Sequence, residues 1–286
     1  MSQYCKMTLI WDLDETIIQT IDSAETEKLD AVRKVYPTLQ IPGVTVHAIT
    51  INNREYYMFV RPGFEMDSVW DFIFSAFNVG VLTAAKQKYA HEVVRNVMLQ
   101  GGTASDRKLS FMYSRESYGE IIKHPVTVGK NTKTYSGHKN LNYMFDVLQP
   151  FGAYPCNSIL IDDHKDAYET NKFNTIGVPA WNVVQQKEDK WVFNEGCVKD
   201  KICVTLMKLL AYFDYEYKQN SCDADNNYTG CPAALTMPII HTWSKKIYTS
   251  EAEEETEKVR AEAEANGEAF EEEEDWLDQL NISWND

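Results

Sequence analysis

Two aspartates one residue apart, Asp12 and Asp14, end an apolar run in the stretch Leu9-Ile10-Trp11-Asp12-Leu13-Asp14-Glu15-Thr16-Ile17-Ile18. Residues two apart on a strand project to the same face, so both carboxylates can meet one small volume as the chain leaves a buried strand. Carboxylates that close repel, and a cation between them, a proton on one, or a backbone turn relieves the strain. Mg²⁺ prefers carboxylate, carbonyl and water oxygens. Such an ion could hold a phosphate before one carboxylate acting as nucleophile, while the second gives and takes protons. A strand edge that merely ends in solvated acids would read the same way, so further groups must decide.

Three segments supply them. Phe77-Asn78-Val79-Gly80-Val81-Leu82-Thr83-Ala84-Ala85 is an apolar strand ending in a hydroxyl and small residues. A helix starting near Lys86 would present backbone N–H groups that favour an anion, and the Thr83 hydroxyl could bond a phosphate oxygen. Lys139 stands where a helix reaching about Leu148 would begin. The helix dipole disfavours a cation at that end, so Lys139 asks for an anionic partner. Ser158-Ile159-Leu160-Ile161-Asp162-Asp163-His164 is a third apolar strand ending in acids. Parallel strands that finish in such residues gather them at one carboxyl edge, where open α/β sheets bind ligands.

The run from Leu9 to Ile18 resembles motif I of the haloacid dehalogenase superfamily, and within it the FCP/SCP-like phosphatases acting on the C-terminal domain of RNA polymerase II. Arg61-Pro62-Gly63, the Lys-Tyr-Ala sequence at residues 88–90, and the Arg115-Glu116 pair are similar to the same phosphatases. The resemblance covers about residues 7 to 182 and extends loosely to 216. It implies Asp12 as nucleophile, Asp14 as general acid and base, and Thr16 as a residue orienting the loop. Thr83 and Ala84 would bind phosphate, and Lys139 would neutralise phosphate and nucleophile. Mg²⁺ would lie on Asp12, the backbone carbonyl of Asp14, and Asp163 or Asp162. Alignment favours Asp163, although the small phosphatases of the family carry Asp-Asn where this chain has Asp162-Asp163. Arg115 is a substrate-side candidate.

The elements that must position these groups alternate between strand-like and helix-like segments, the pattern of a central parallel sheet with helices on both faces. The implied fold is α/β, HAD-like and Rossmannoid, with a small β-rich insertion over about 102–135. A helix is predicted over 25–35. A hairpin follows, with strands at 44–49 and 56–60 about Asn52-Asn53, and then a helix starting at Pro62 and running through Phe74. The expected division is a phosphatase domain over 1–216, a linker or packing extension over 217–250, and an acidic tail over 251–286.

The net charge of −15 on 286 residues resides mainly in that tail. Fifteen acids face only Lys258 and Arg260 there, giving −13, which opposes direct nucleic-acid binding. Trp276, Leu277, Leu280, Ile282 and Trp284 set apolar groups among the tail's last acids. They would suit docking in another protein's groove, a solubilising tail, or packing on the chain's own domain. Six cysteines with no Cys-x-x-Cys pair favour a reduced intracellular protein. With no apolar run near the bilayer-spanning length of about 20 residues and no signal-peptide pattern, the expectation is a soluble protein, cytoplasmic or nuclear. The expected partner is a phosphoprotein or phosphopeptide. Rival readings are a tyrosine phosphatase like Eyes absent, a small-metabolite phosphatase of the superfamily, and a non-catalytic binding module. His138 and His164 adjoin site residues and are candidates to tune them.

Overall fold

Alternate residues of the first strand face opposite ways, and both faces are apolar, which forces cover on each side. The computed structural model describes residues 6–100, 107–117, 126–128, 131–133, 139–171 and 174–221. In it β1 (Thr8–Trp11), β5 (Asn78–Leu82), β6 (Phe111–Tyr113), β9 (Ser158–Asp162) and β10 (Thr175–Gly177) form one parallel sheet in the order β10-β9-β1-β5-β6. Leu9 and Trp11, with Val79, Val81, Ile159 and Ile161, turn to a core shared with α2 (Asp67–Ala76), α3 (Gln87–Val93) and the long helix Ile202–Ser221. Ile10 and Leu160 turn the other way, onto the helix Leu141–Leu148 and Ala167 of the helix Lys165–Thr170. Numbered in chain order, these last three helices are α4 (Leu141–Leu148), α5 (Lys165–Thr170) and α6 (Ile202–Ser221).

From β1 the chain builds outward to β5 and β6, then returns to add β9 and β10 on the other side. The order of construction reverses between β1 and β9, and a crevice opens at the carboxyl ends of strands at such a point. Asp12 and Asp162 stand at those two ends. Gly80 permits the sheet's packing, because a Cβ there would sit 2.1 Å from Cζ of Phe111.

A second sheet, antiparallel in the order β2-β4-β3, flanks the site: β2 (Ile18–Asp22), β3 (Thr45–Ile51) and β4 (Arg54–Val60). Its hairpin turns through Asn52 and Asn53, whose φ angles of 51° and 61° suit the tight turn expected of them. β7 (Val126–Val128) pairs antiparallel with β8 (Asn131–Lys133) in the expected insertion. β11 (Val184–Lys187) and β12 (Lys190–Phe193) form a hairpin that packs, with α1 (Thr26–Arg33), in a separate core around Trp181 and Val183.

The predicted helix start at Pro62 is corrected to Asp67. Gly63 takes φ 92°, a left-handed conformation that interrupts a helix, and turns close from Arg61 to Phe64 and from Gly63 to Met66. Cys156 is disulfide-bonded, which departs from the expectation of a wholly reduced chain, while Cys197 and Cys203 are free and buried. α6 runs through residue 216, where the phosphatase unit was expected to end. Residues 222–286, including the whole acidic tail, lie outside the described residues, as do His138 and half of 102–135. Among the described residues no helix is long and apolar enough to cross a membrane.

Candidate active site

Past the end of β1 the ladder continues for one bond, the Asp12 N–H donating to the Ile161 carbonyl at 3.0 Å, which seats Asp12 beside the end of β9. The chain then turns sharply. Glu15 adopts φ 61°, its N–H donates to the Ile18 carbonyl, and the Ile17 N–H donates to the Leu13 carbonyl. The loop is held from outside as well: the Trp181 N–H donates to the Glu15 carbonyl at 2.7 Å, and Arg61 Nη1 donates to the Thr16 carbonyl at 2.9 Å.

Arg61 had no role assigned from the sequence beyond its place in Arg-Pro-Gly. Fully buried, it also donates to the Pro179 carbonyl and forms a two-pronged ion pair with Asp200, through Nε at 3.0 Å and Nη2 at 2.7 Å. A guanidinium's rigid fork suits this. One side chain thereby ties the Asp12–Thr16 loop to the segment after β10 and to the residues preceding α6.

Lys139 precedes α4 rather than beginning it. Asn171 fixes this junction, accepting from the Leu141 N–H at 2.9 Å and donating through Nδ2 to the Lys139 carbonyl at 2.5 Å. The Lys139 ammonium then lies between two acids, 2.5 Å from Asp12 Oδ1 and 2.6 Å from Asp162 Oδ2. Burial by itself would lower its pKa, but the attraction of Asp12 and Asp162 outweighs burial, and Lys139 is held cationic. Asp12 is pushed well above the usual carboxylate range, first by burial and further by Asp162 and Asp163, against the pull of Lys139. We assign the ammonium as charged, because it serves two carboxylates at once; burial, with the negative charge of Asp162 and Asp163 added to it, is what keeps Asp12 weakly acidic.

Asp12, Asp162 and Asp163 each offer an oxygen within 4.8 Å of the others. Three carboxylates facing one lysine are a hard, oxygen-rich donor set that fits a small divalent cation. Asp162 is wholly buried and both its oxygens already accept hydrogen bonds, Oδ2 from Lys139 and Oδ1 from the His164 N–H at 2.8 Å. Asp163 is oriented by Thr16, whose hydroxyl donates to Oδ1 at 2.7 Å and accepts from the Asp163 N–H at 3.1 Å. Burial, opposed by the Thr16 hydrogen bond, raises Asp163 to about 6.

Asp14 is also raised by burial, against a hydrogen bond from the Tyr89 hydroxyl to its Oδ1. Asp12, Asp14, Lys139, Asp162 and Asp163 line a single cavity of about 280 Å³, joined by Glu15, Ala84 and His164. Thr83, Thr16 and Arg115 are not part of that lining. Thr83 is buried, and its hydroxyl oxygen accepts from the Ala85 N–H at 3.1 Å. Arg115 donates through Nε to the carbonyl of Ala84 at 2.6 Å, reaching the cavity wall from outside.

At the start of α3 the Gln87 N–H, one of the helix-end groups expected to favour an anion, donates to the chain's own Glu116 Oε2 at 2.9 Å. The chain's own carboxylate answers the helix end, as the dipole favours, and with Arg115 it fastens the β6 end to the Thr83–Gln87 loop.

The family model described as NLI interacting factor-like phosphatase matches residues 7–225. Among solved structures the chain is similar to Fcp1, an essential RNA polymerase II CTD phosphatase, at 18% identity and a TM-score of 0.42, over 88% of this chain and 65% of that one. It is similar at 16% identity and a TM-score of 0.41 to a point variant of the fission yeast RNA polymerase II CTD phosphatase Fcp1 bound to beryllium fluoride, over 91% of this chain and 66% of that one. A putative beta-phosphoglucomutase from Thermotoga maritima shares 13% identity at a TM-score of 0.34, over 64% of this chain and 89% of that one. The chain therefore spans less than two thirds of either Fcp1 chain. No curated protein matches it.

Proposed function

Because the chain belongs to the NLI interacting factor-like phosphatase family, we propose that it hydrolyses phosphate monoesters through a phosphorylated Asp12, with phosphoserine and phosphothreonine in proteins as its substrates. The observation that carries this reading is the set of three clustered carboxylates, Asp12, Asp162 and Asp163, around one buried lysine at the sheet's crevice.

Asp12, Asp163 and the backbone carbonyl of Asp14 would hold Mg²⁺, with Asp162 kept to Lys139; the ion when bound supplies charge neutralisation and alignment for the phosphate. Asp12 attacks phosphorus, and the bond from phosphorus to the leaving oxygen breaks. Asp14 delivers its proton to that oxygen, then, as carboxylate, removes one from the water that attacks the aspartyl phosphate. Lys139 and the Ala84 N–H, which border the cavity, hold the non-bridging oxygens as charge redistributes, and the Thr83 hydroxyl serves phosphate binding by bracing that loop through the Ala85 N–H. Thr16 acts through Asp163, and Arg115 serves the substrate side. A soluble cytoplasmic or nuclear setting, a catalytic unit over 1–216, and a protein partner for the tail belong to the same proposal, as does the RNA polymerase II C-terminal domain as one candidate substrate.

The test is turnover of a phosphopeptide panel and small phosphate esters, with and without Mg²⁺, by wild type and Asp12→Asn. The expected result is Mg²⁺-dependent release of phosphate from phosphoserine and phosphothreonine peptides, abolished by the substitution. Activity that survives Asp12→Asn would overturn the nucleophile, and turnover confined to small metabolite esters would overturn the substrate class.

A further inference from the structure

Two hydroxyls stand in line beside Asp14. The Tyr89 hydroxyl donates to Asp14 Oδ1, and its oxygen lies 2.7 Å from Thr20 Oγ1. Tyr89 projects from α3 and Thr20 from β2, so the chain of contacts joins two separate elements to the acid. A phenol has a single proton. With that proton directed at Asp14, the Thr20 hydroxyl must be the donor to the Tyr89 oxygen, and the sequence of donation runs from Thr20 through Tyr89 to Asp14.

We propose that Tyr89, backed by Thr20, is a positioning residue that reserves Asp14 Oδ1 as an acceptor and thereby leaves Oδ2 as the oxygen that carries the transferable proton. The mechanism needs an acid whose proton faces the leaving oxygen. A carboxyl group able to spin about its last torsion, which is broad and two-fold for aspartate, would spend time with that proton turned away. Fixing one oxygen removes the unproductive half. In the first step the Oδ2 proton passes to the leaving oxygen as the phosphorus–oxygen bond breaks and the bond to Asp12 forms. In the second, the water oxygen bonds phosphorus, the bond from phosphorus to Asp12 breaks and restores its carboxylate, and Oδ2 takes the water's proton; Tyr89 keeps its own proton throughout. This inference rests on the reading of Asp14 as general acid.

The experiment compares wild type, Tyr89→Phe, Thr20→Val and Asp14→Asn on phosphate monoesters whose leaving groups range from p-nitrophenol to a simple alkanol, at saturating Mg²⁺. A good leaving group departs without protonation and an alkoxide does not. Tyr89→Phe is expected to lower kcat on the alkyl ester about tenfold more than on p-nitrophenyl phosphate, with KM unchanged, a part of the roughly 10²–10⁴-fold that general acid catalysis supplies. Thr20→Val, which keeps the ring and removes its anchor, is expected to shift the same ratio in the same direction by a smaller factor. Equal losses on both esters in both variants, or an effect confined to KM, would overturn the proposal; the second outcome would make Tyr89 a substrate contact. Should Tyr89→Phe fail to fold, as judged by circular dichroism, an unshifted ratio in Thr20→Val overturns it alone. Asp14→Asn separates the two levels: no selective loss on the alkyl ester in that variant refutes the acid role itself, whatever Tyr89 does.

Discussion

The chemistry of the site rests on one cation. Lys139 is buried between Asp12 and Asp162, and its attraction to both is what lets these carboxylates stand so close in a poorly solvated place. Lys139→Met should therefore lower kcat by about 10²–10³, the cost of losing one well-placed charge stabiliser. It should also tighten Mg²⁺ binding to the folded protein in a calorimetric titration, since the remaining charge is more negative. Weaker Mg²⁺ binding would mean the variant lost structure rather than charge. Two other buried groups respond to pH with a definite sign. Burial pushes the Cys197 and Cys203 thiols up to about 12, helped by nearby acids. Folding thus favours the protonated thiol, a contribution present below the ordinary thiol pKa of about 8.5 and lost as pH rises toward 12. Cys203→Ala should flatten the alkaline fall in Tm, and both thiols should resist a labelling reagent at about pH 8, near the ordinary thiol pKa, until denaturant is added.

At the scale of elements, close approach decides which residues the central strands tolerate. Gly80 faces the Phe111 ring across the pair of β5 and β6, and a Cβ would fall 2.1 Å from it. Gly80→Ala should cost about 1–3 kcal/mol, the usual penalty of overpacking, seen as a lower midpoint in urea with an unchanged slope. Arg61 and Asn171 show a different principle. Each fastens the backbone of a site loop, Arg61 through the Thr16 and Pro179 carbonyls and Asn171 through the Lys139 carbonyl and Leu141 N–H. Asn171 carries no local pattern that would have marked it, because its partners lie about thirty residues away. The strands β1, β5 and β9 and the Asn52-Asn53 turn were legible, since alternation, apolar runs and turn chemistry are local properties. The start of α2 was not, because the left-handed Gly63 fits against Cys203 of a helix far along the chain.

Across the whole molecule, net charge and the candidate site occupy different parts of the sequence. Residues 251–286 carry −13 of the −15 net charge, whereas every cavity-lining group falls between Asp12 and Ala167. Deleting 251–286 should leave turnover of a small ester within about twofold and the Tm unchanged, because long-range effects of exposed charges are screened within roughly 8–10 Å at physiological salt. Loss of turnover would show that the tail belongs to the catalytic fold. By itself the sequence determined the α/β class and the chemical types of the site groups, and it pointed to Asp12, Asp14, Lys139, Asp162 and Asp163, because each stands near the end of a recognisable strand or the start of a helix. Only the tertiary structure decided how they combine. The reversal of strand order brings the ends of β1 and β9 together, seating Lys139 between Asp12 and Asp162 and leaving Asp163 to Thr16. It also turned the α3 terminus over to Glu116 and set Tyr89 against Asp14. Hydrogen bonds form between groups that meet in space, and that meeting is a property of how the sheet is wound, which no local stretch of sequence contains.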